Sequence, residues 1–237
     1  MIIPAFNEEK NIGDVIHNIW KISPDLDIVV INDGSSDKTV NIVEKFGVKL
    51  ISLPYNLGYG VALQTGFLYA KQRGYNTVIQ MDADGQHDPL HILDMLKEIQ
   101  NPDVDVVIGS RFLQDNSYKT TISKKLGMTF FGFLTSILIR EKITDPTSGF
   151  QVLKGEVIDF MSQDLYPPDY PDADMIILLH RAGFKIKEVP VKMKSNPKHA
   201  KSMHRGHKTI YYVLKMLLSI IVTLLRVKPK RRNTNAA

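Results

Sequence analysis

"YNTVIQMDADGQH" occupies residues 75–87, where an apolar run leads directly into a cluster of acids. In an extended segment successive side chains alternate, so Asp82 and Asp84 point to one side and Ala83 points to the other. Two adjacent carboxylates repel each other unless a cation, a proton or solvent lies between them. The stretch therefore predicts a strand whose end carries either a solvated acidic loop or a cation site.

Strand-like and helix-like segments alternate on both sides of this stretch. Further strands are predicted at 1–6, 27–33, 48–54, 104–112 and 184–193. Helices are predicted at 7–21, from the turn after Asp33 to about Phe46, and at 60–74, 89–100 and 173–183. Continuous apolar strands separated by helices predict an α/β fold, with a Rossmann-like, mostly parallel sheet and helices on both faces.

Three of the predicted strands end in polar residues, at "AFNEE" (5–9), "INDGSSD" (31–37) and "MDADGQH" (81–87). Such sheets bind ligands at the carboxyl ends of their strands, so the three ends are expected to share one crevice. "NDGSSD" fits a plain turn as well as a site in which Asp33 accepts a hydrogen bond from a nucleobase or ribose. "NLGYGVA" (56–62) permits close approach of a ligand at Gly58 but matches neither the dinucleotide nor the Walker pattern.

Charge is unevenly distributed along the chain. Residues 1–184 carry 24 acidic and 16 basic side chains, whereas residues 185–237 carry one acidic and 14 basic side chains. Such a basic end suits an anionic lipid surface. It lacks a recognition motif and stacking aromatics beside the charges, so we predict no nucleic-acid partner. With no cysteine, a disulfide framework and a thiolate zinc site are both excluded.

Two apolar helices are predicted in the second half of the chain. Residues 126–139 are uncharged and would span about 21 Å, too short to cross a bilayer. Residues 209–227 are strongly apolar but contain Lys215, which makes crossing costly. An interfacial position near anionic headgroups is expected for this second helix. The alternatives are packing on the domain, on a partner subunit or against a small integral-membrane partner.

The polar segments also occur in a characteristic order, from "IIPAFNEE" (2–9) through "VINDGSSDKT", "NLGYGVALQTGF", "MDADGQHDP", "GSRF" and "DPTSGF" to "GFKIKEVPV" (183–191). Over roughly residues 1–195 this resembles the family 2 glycosyltransferases with a GT-A fold, most closely the dolichol/polyprenyl-phosphate mannose synthase-like branch. The resemblance implies a GT-A (nucleotide-diphospho-sugar transferase) domain at 1–195, with a nucleotide-sugar half at 1–112 and an acceptor half at 113–195. A basic segment, the interfacial helix and a basic tail follow at 196–237.

Carried onto this chain, the resemblance implies roles for individual residues. It assigns nucleotide binding to Pro4, Ala5, Asn7, Glu8, Asp33, Gly58 and Asp82, and the acceptor side to Asp145, Ser148 and Gly149. It assigns Arg111 to phosphate, which suits its rigid fork of donors. Asp82, Asp84 and the Gln86 amide offer the hard oxygen ligands that Mg²⁺ or Mn²⁺ prefers.

The implied reaction is an inverting, metal-dependent transfer from a UDP-, GDP- or dTDP-sugar to a polyprenyl phosphate or a polyprenyl-linked glycan. A phosphate acceptor is already anionic, whereas a sugar hydroxyl needs a general base, for which Asp174 is the first candidate and Asp172 the second. Both acids also fit a plain helix N-terminus. The expected setting is peripheral, at the cytoplasmic face of the cell membrane, in bacterial cell-surface polysaccharide synthesis.

Two alternatives concern the protein as a whole and its C-terminal quarter. The chain could be a scaffold subunit that binds a nucleotide-sugar without turnover. Whether enzyme or scaffold, it could also assemble as a homo-oligomer. After the last strand, "SNPKHAKSMHRGHK" (195–208) is basic but lacks the arginine, glycine and Ser-Lys order usual in that branch. The histidines in this segment (199, 204 and 207) are interpreted as part of a solvated or lipid-facing basic loop rather than as metal ligands.

Overall fold

The computed structural model describes residues 1–113, 122–163, 166–167, 171–194 and 207–228. Its strands are β1 (Ile2–Ala5), β2 (Val29–Asn32), β3 (Lys49–Ser52), β4 (Thr77–Gln80), β5 (Val106–Ser110), β6 (Gln151–Lys154) and β7 (Ile186–Pro190). Its α-helices are α1 (Ile12–Ile22), α2 (Thr39–Phe46), α3 (Tyr59–Gln72), α4 (Ile92–Ile99), α5 (Ile122–Ile139), α6 (Gly155–Met161), α7 (Ala173–Ala182) and α8 (His207–Leu225). A short 3₁₀ helix, Pro89–His91, precedes α4.

The strands form one sheet in the order β3-β2-β1-β4-β6-β5-β7. β6 runs antiparallel to both of its neighbours, and every other pairing is parallel. The predicted mostly parallel α/β sheet is therefore confirmed. The chain order reverses between β1 and β4, which is where a sheet of this kind opens a ligand crevice beyond the strand ends.

Helices cover both faces of the sheet, as predicted. Consecutive residues of a strand pack into different apolar clusters, one on each face. Ile3 packs with Ile16 of α1 and Met95 of α4 in one apolar cluster. Ile2 packs with Phe67 of α3 and with residues of α5, α6, α7 and α8 in the other. This separation follows from the alternation of side chains along a strand.

β6 and α6 are absent from the sequence-based prediction, in which this region appears only as the polar segment "DPTSGF" (145–150). The strand is four residues long, and three of them are buried. β6 inserts between β4 and β5, so both of its faces are covered by helices and its residues show no alternation that a pattern could reveal. The polar turn before it is real, and its residues form part of the site described below.

The predicted C-terminal helix is present as α8, and it has two different faces. Met216, Ile220 and Thr223 are buried where α8 packs on the domain, mainly against α7. Leu214 and Leu218 are exposed on the other side of the helix. Within the described ranges, no helix combines the length and the hydropathy that crossing a bilayer requires. His199, His204 and the tail after residue 228 lie outside these ranges.

Candidate functional site

The loops that follow β1 and β2 are hydrogen-bonded to each other. The backbone N–H of Asn7 donates to Ser35 Oγ at 2.9 Å, and Asn7 Oδ1 accepts from the Ser36 N–H at 2.8 Å. The N–H of Glu8 donates to Thr39 Oγ1 at 2.8 Å. Asn7 has a φ of 56°, so the chain turns sharply as it leaves the sheet. These bonds bring two of the three predicted polar strand ends together, beside Pro4 and Ala5 at the end of β1.

Asp33, at the end of β2, holds the loop that precedes α3. Its carboxylate accepts hydrogen bonds from the N–H groups of Leu57 at 2.7 Å and Gly58 at 3.0 Å. Gly34 has a φ of +66°, and a Cβ there would lie 2.4 Å from the backbone carbon of Tyr55. The predicted contact of Asp33 with a nucleobase therefore has to use the remaining lone pairs of a carboxylate that already accepts two bonds.

Asp82 and Asp84 lie just beyond β4, and each carboxylate has a defined partner. The Tyr59 hydroxyl donates to Asp82 Oδ1 at 2.7 Å. Gln86 donates to Asp84 through its N–H at 3.0 Å and also through its side-chain amide. Tyr59 was not among the predicted site residues, although it lies inside the glycine-containing motif "NLGYGVA" (56–62), at the first residue of α3. Its hydroxyl links that motif to the acidic loop.

The electrostatics of this loop indicate excess negative charge. Burial raises the pKa of Asp82, while the Tyr59 hydrogen bond and the charge of Arg111 act to lower it. Burial also raises the pKa of Asp84, and the charge of Asp82 raises it further. The pKa of Glu8 is raised by burial and then by the charges of both aspartates, in spite of its bond from Asn11. Negative charge on one of these carboxyls makes ionisation of its neighbours less favourable. A bound cation would remove this repulsion, so the cluster suits a cation site.

The chemistry of these donors fits a hard divalent cation. Within the described ranges no group of three or more His, Cys, Asp or Glu side chains is arranged to hold a metal. Asp82 and Asp84 would therefore supply two protein oxygens, with Gln86 beside Asp84. Mg²⁺ usually binds through one or two carboxylates plus waters and substrate phosphate oxygens, so the pair is sufficient.

His87 supports the acidic loop from inside the protein, a role that the sequence analysis did not identify. The side chain is buried, and its Nδ1 accepts from the Asp82 N–H at 3.3 Å. Nε2 lies 3.9 Å from Asp82 Oδ2 and has no hydrogen-bond partner among the residues that the structure describes. Burial lowers the pKa of His87 to about 4, although the charge of Asp84 opposes this shift. A neutral imidazole therefore packs beneath the carboxylates.

Gly149 was predicted on the acceptor side, and the structure places its backbone against Asp82. A Cβ at this position would lie 2.6 Å from Asp82 Oδ2 and 2.9 Å from Oδ1. The absence of a side chain thus makes room for the carboxylate.

Gly149→Ala is expected to displace the Asp82 carboxylate and to weaken nucleotide-sugar binding by about tenfold, because a methyl group cannot occupy space filled by an oxygen. Isothermal titration calorimetry with a nucleotide-sugar and Mn²⁺ measures this loss. Gly155→Ala is the matched control, because a Cβ there would lie 3.6 Å from its nearest neighbour, at ordinary contact distance. Equal affinity of the two variants for the nucleotide-sugar would contradict the conclusion that Gly149 makes room for the Asp82 carboxylate.

Arg111 follows β5, and its guanidinium is paired with a buried carboxylate. Nε donates to Asp145 Oδ2 at 2.6 Å, and a terminal nitrogen donates to Oδ1 at 2.5 Å and to Thr147 Oγ1 at 2.8 Å. The N–H groups of Thr144 and Asp145 each donate to Glu188 of β7 at 2.8 Å. Glu188 therefore holds the loop, and the loop fixes the direction of Arg111.

The predicted acceptor residues Asp145 and Ser148 are both buried and occupied with internal bonds. Ser148 Oγ donates to the Gly109 carbonyl at 2.6 Å, so it ties the loop to β5. Asp145 is fully buried beneath Arg111. Their observed contacts position Arg111 and Gly149.

Asp172 and Asp174 stand at the start of α7 in different environments. Asp174 is 1% exposed, and its Oδ1 accepts from the N–H groups of Asp172 at 3.1 Å and Met175 at 2.8 Å. Asp172 is half-buried, and burial raises the pKa of its carboxyl to about 7. The charge of Arg111 acts to lower this pKa and the charge of Asp82 to raise it, so Asp172 lies near both side chains. Asp174 stabilises the first helical turn, and Asp172 is the more accessible acid.

Comparison with known proteins identifies the family of the chain. The family described as Glycosyl transferase family 2 matches residues 1–169. The chain is 30% identical to the UDP-N-acetylglucosamine–dolichyl-phosphate N-acetylglucosaminyltransferase of Methanococcus voltae, covering 81% of this chain and 84% of that protein. It is 28% identical to the polyprenol monophosphomannose synthase of Mycolicibacterium smegmatis, covering 81% of this chain and 75% of that protein.

Solved structures show the same fold. The glucosyl-3-phosphoglycerate synthase of Mycobacterium tuberculosis, in complex with Mn²⁺, UDP-glucose and phosphoglyceric acid, aligns with a TM-score of 0.69 at 18% identity. The alignment covers 94% of this chain and 78% of that one. At this identity the likeness establishes the fold alone, which is that of a GT-A protein.

Proposed function

The chain belongs to glycosyl transferase family 2 and is an enzyme of the hexosyltransferase type, and from this we propose that it transfers a sugar from a nucleotide-sugar to a polyprenyl phosphate. The observation that carries the proposal is the crevice between β1 and β4, where Asp82, Asp84 and Arg111 converge. The similarity to dolichyl-phosphate and polyprenol-phosphate sugar transferases supports the acceptor class.

The chemistry is a single displacement at the anomeric carbon. A phosphate oxygen of the acceptor forms the new bond as the bond to the nucleoside diphosphate breaks, and the diphosphate leaves with the electron pair. This displacement inverts the configuration of the sugar. Arg111, held in one direction by Asp145, contributes preorganised positive charge toward the departing diphosphate.

The acidic loop supplies the second part of leaving-group stabilisation. Mg²⁺ or Mn²⁺ held by Asp82 and Asp84 would act as a Lewis acid toward the diphosphate. Tyr59 orients Asp82 by its hydrogen bond, and His87 and Gly149 fix its position from beneath. The loops after β1 and β2 border the nucleotide at Asn7, Glu8 and Asp33. Which of UDP, GDP or dTDP is bound depends on contacts with the base.

Asp172 gives the crevice an acid whose role depends on the acceptor. With a phosphate acceptor no base is needed, and the carboxylate serves to accept hydrogen bonds from sugar hydroxyls. A polyprenyl-linked glycan would instead present a hydroxyl, for which a carboxyl with a pKa of about 7 is a suitable general base. The half-buried position of Asp172 near Arg111 and Asp82, together with its raised pKa, supports this second acceptor class.

A screen of nucleotide-sugars with Mn²⁺ or Mg²⁺ tests the proposal, with a polyprenyl phosphate and a polyprenyl-linked glycan as parallel acceptors. Divalent-dependent release of nucleoside diphosphate together with a glycosylated polyprenyl phosphate is the expected result. If only the polyprenyl-linked glycan were glycosylated, the acceptor group would be a sugar hydroxyl. Nucleotide-sugar binding without turnover on either acceptor would favour the scaffold alternative.

We further propose that the protein works at a lipid surface, through an apolar surface on α5 and α8. We call it the outer apolar surface, and its members are Leu126, Phe130, Phe133 and Ile137 of α5 and Leu214, Leu218, Ile221 and Leu225 of α8, all of them exposed. The rings of Phe131 and Tyr212 lie 6.1 Å apart, so the two helices are neighbours. The basic C-terminal quarter suits the anionic lipids of the cytoplasmic leaflet, so we propose peripheral binding to that face of the membrane.

Leu218→Glu is expected to lower the partition coefficient onto vesicles with anionic lipid by about tenfold, because a charge replaces a side chain that would contact lipid. Vesicle co-sedimentation measures the change. Leu93→Glu on α4 is the matched control, because Leu93 is 55% exposed and Leu218 is 60% exposed, but α4 covers the opposite face of the sheet. An equal loss of vesicle binding in the two variants would contradict the proposal that the outer apolar surface binds lipid.

A further inference from the structure

Two hydroxyl groups of α8 reach the two acids at the start of α7. Tyr212 Oη donates to Asp172 Oδ2 at 2.5 Å, and Ser219 Oγ donates to Asp174 Oδ2. Positions 212 and 219 are two helical turns apart and therefore lie on the same face of α8. Met216, midway between them, is buried. α8 thus presents a hydroxyl, an apolar side chain and a second hydroxyl to α7.

The Ser219 bond completes the hydrogen bonding of a buried carboxyl. Asp174 Oδ1 already accepts from the N–H groups of Asp172 and Met175. Loss of the Ser219 hydroxyl would leave Oδ2 of a nearly fully buried carboxyl without this donor. A buried acceptor without a partner is costly, so the carboxyl would reorient and disturb both backbone bonds.

The Tyr212 bond acts directly on the acid at the crevice. It fixes the half-buried carboxyl of Asp172, whose own N–H is held by Asp174. The backbone of Asp172 is therefore positioned through Ser219 and Asp174, and its side chain is positioned through Tyr212. Both links originate on α8, 40 and 45 residues away along the chain.

We propose that Tyr212 and Ser219 are positioning residues for sugar transfer, which set the direction of Asp172 in the acceptor half of the crevice. The inference rests on the proposed function, because it assumes that Asp172 faces the sugar. Leu214 and Leu218 of the outer apolar surface are on the same helix. A single helix therefore both faces the lipid and completes the site, so the ordering of the acids depends on the docking of α8.

Tyr212→Phe is expected to lower kcat for transfer to polyprenyl phosphate by about tenfold, with the KM for the nucleotide-sugar changed less than about twofold. Tyr211→Phe is the matched control, because it removes a hydroxyl from the adjacent position on the exposed face of α8. Its kcat is expected to stay within about twofold of the wild type. The same kcat in both variants would overturn the assignment of Tyr212.

Ser219→Ala is expected to lower kcat similarly, and Ser219→Thr, which restores a hydroxyl, is expected to recover most of it. Hydrogen–deuterium exchange gives a second measurement that needs no substrate. The Met175 amide should exchange about tenfold faster in Ser219→Ala than in the wild type or in Tyr211→Phe. Unchanged exchange would overturn the proposal. If the wild type failed to transfer sugar, the proposed function would fail, and exchange would still decide whether α8 positions the acids.

Discussion

Asp82→Asn is expected to lower the rate of sugar transfer by about 10³-fold, because a neutral amide holds a divalent cation beside the departing diphosphate much more weakly than a carboxylate does. The substitution keeps the shape of the side chain, and Tyr59 can still donate to its oxygen. Steady-state kinetics with saturating Mn²⁺, nucleotide-sugar and polyprenyl phosphate measure the loss. Calorimetry with and without Mn²⁺ should show that the divalent-dependent part of nucleotide-sugar affinity is lost as well.

The stability of the same variant distinguishes a site defect from a folding defect. Burial raises the pKa of Asp82, so the folded protein binds this proton more tightly than the unfolded chain does. The charged carboxylate therefore costs stability above the unfolded pKa, and this cost grows as the pH rises through the folded pKa and is constant beyond it. A neutral Asn removes the cost, so the melting temperature at pH 7 should equal or exceed that of the wild type.

Asp88→Asn is the control for Asp82→Asn. Asp88 lies in the same loop, and its Oδ1 accepts from the Leu90 N–H at 3.1 Å at the start of the 3₁₀ helix. An Asn caps this turn nearly as well, so the kinetics should match the wild type. If Asp82→Asn kept more than about a tenth of wild-type activity, its assignment as a ligand would be wrong.

Asp145→Ala is expected to reduce the free energy of unfolding by about 3–5 kcal/mol, because it leaves the guanidinium of Arg111 without its buried partner. The two side chains are 10% and 0% exposed, so water cannot replace the lost bonds well. Urea unfolding monitored by circular dichroism measures the change through the midpoint at constant slope. Transfer activity should fall as well, because Arg111 loses its fixed direction.

Asp159→Ala provides the comparison for an exposed ion pair. Lys71 Nζ and Asp159 Oδ1 are 3.1 Å apart, with side chains 47% and 34% exposed, and such pairs contribute at most about 1 kcal/mol. The double variant Arg111→Ala/Asp145→Ala should lose less stability than the two single variants added together, because no unpaired charge remains. If Asp145→Ala lowered the free energy of unfolding no more than Asp159→Ala does, the Arg111–Asp145 pair would not stabilise the protein as expected.

Several features of the site could be predicted because they are local in the sequence. Asp82 and Asp84 directly follow an apolar strand, and Asp33 follows another, so strand alternation and sheet topology were sufficient to bring them to one edge. Tyr59 and His87 were missed, although both lie within motifs that were recognised. Neither is exceptional by residue type, and each acquires its role only from the carboxylate packed against it.

Other features depend on contacts between distant segments. Nothing in the composition of β6 indicates that it inserts antiparallel between β4 and β5. The guanidinium of Arg111 was expected to bind a phosphate. In the structure it also binds the carboxylate of Asp145, which is 34 residues further along the chain. Asp174 was the first candidate for the general base and Asp172 the second, and the different environments of the two acids, including their partners on α8, were not visible in the sequence.

The sequence by itself determined the polar strand ends and every strand and helix except β6 and α6, because alternation, apolar runs and turn residues act over a few neighbouring positions. Only the tertiary structure decided which buried polar groups meet. A buried carboxyl or guanidinium must find a hydrogen-bond partner, and that partner is whichever group the packed elements bring within reach. For Arg111, Asp172 and Asp174, those partners come from elements that no local pattern connects to them.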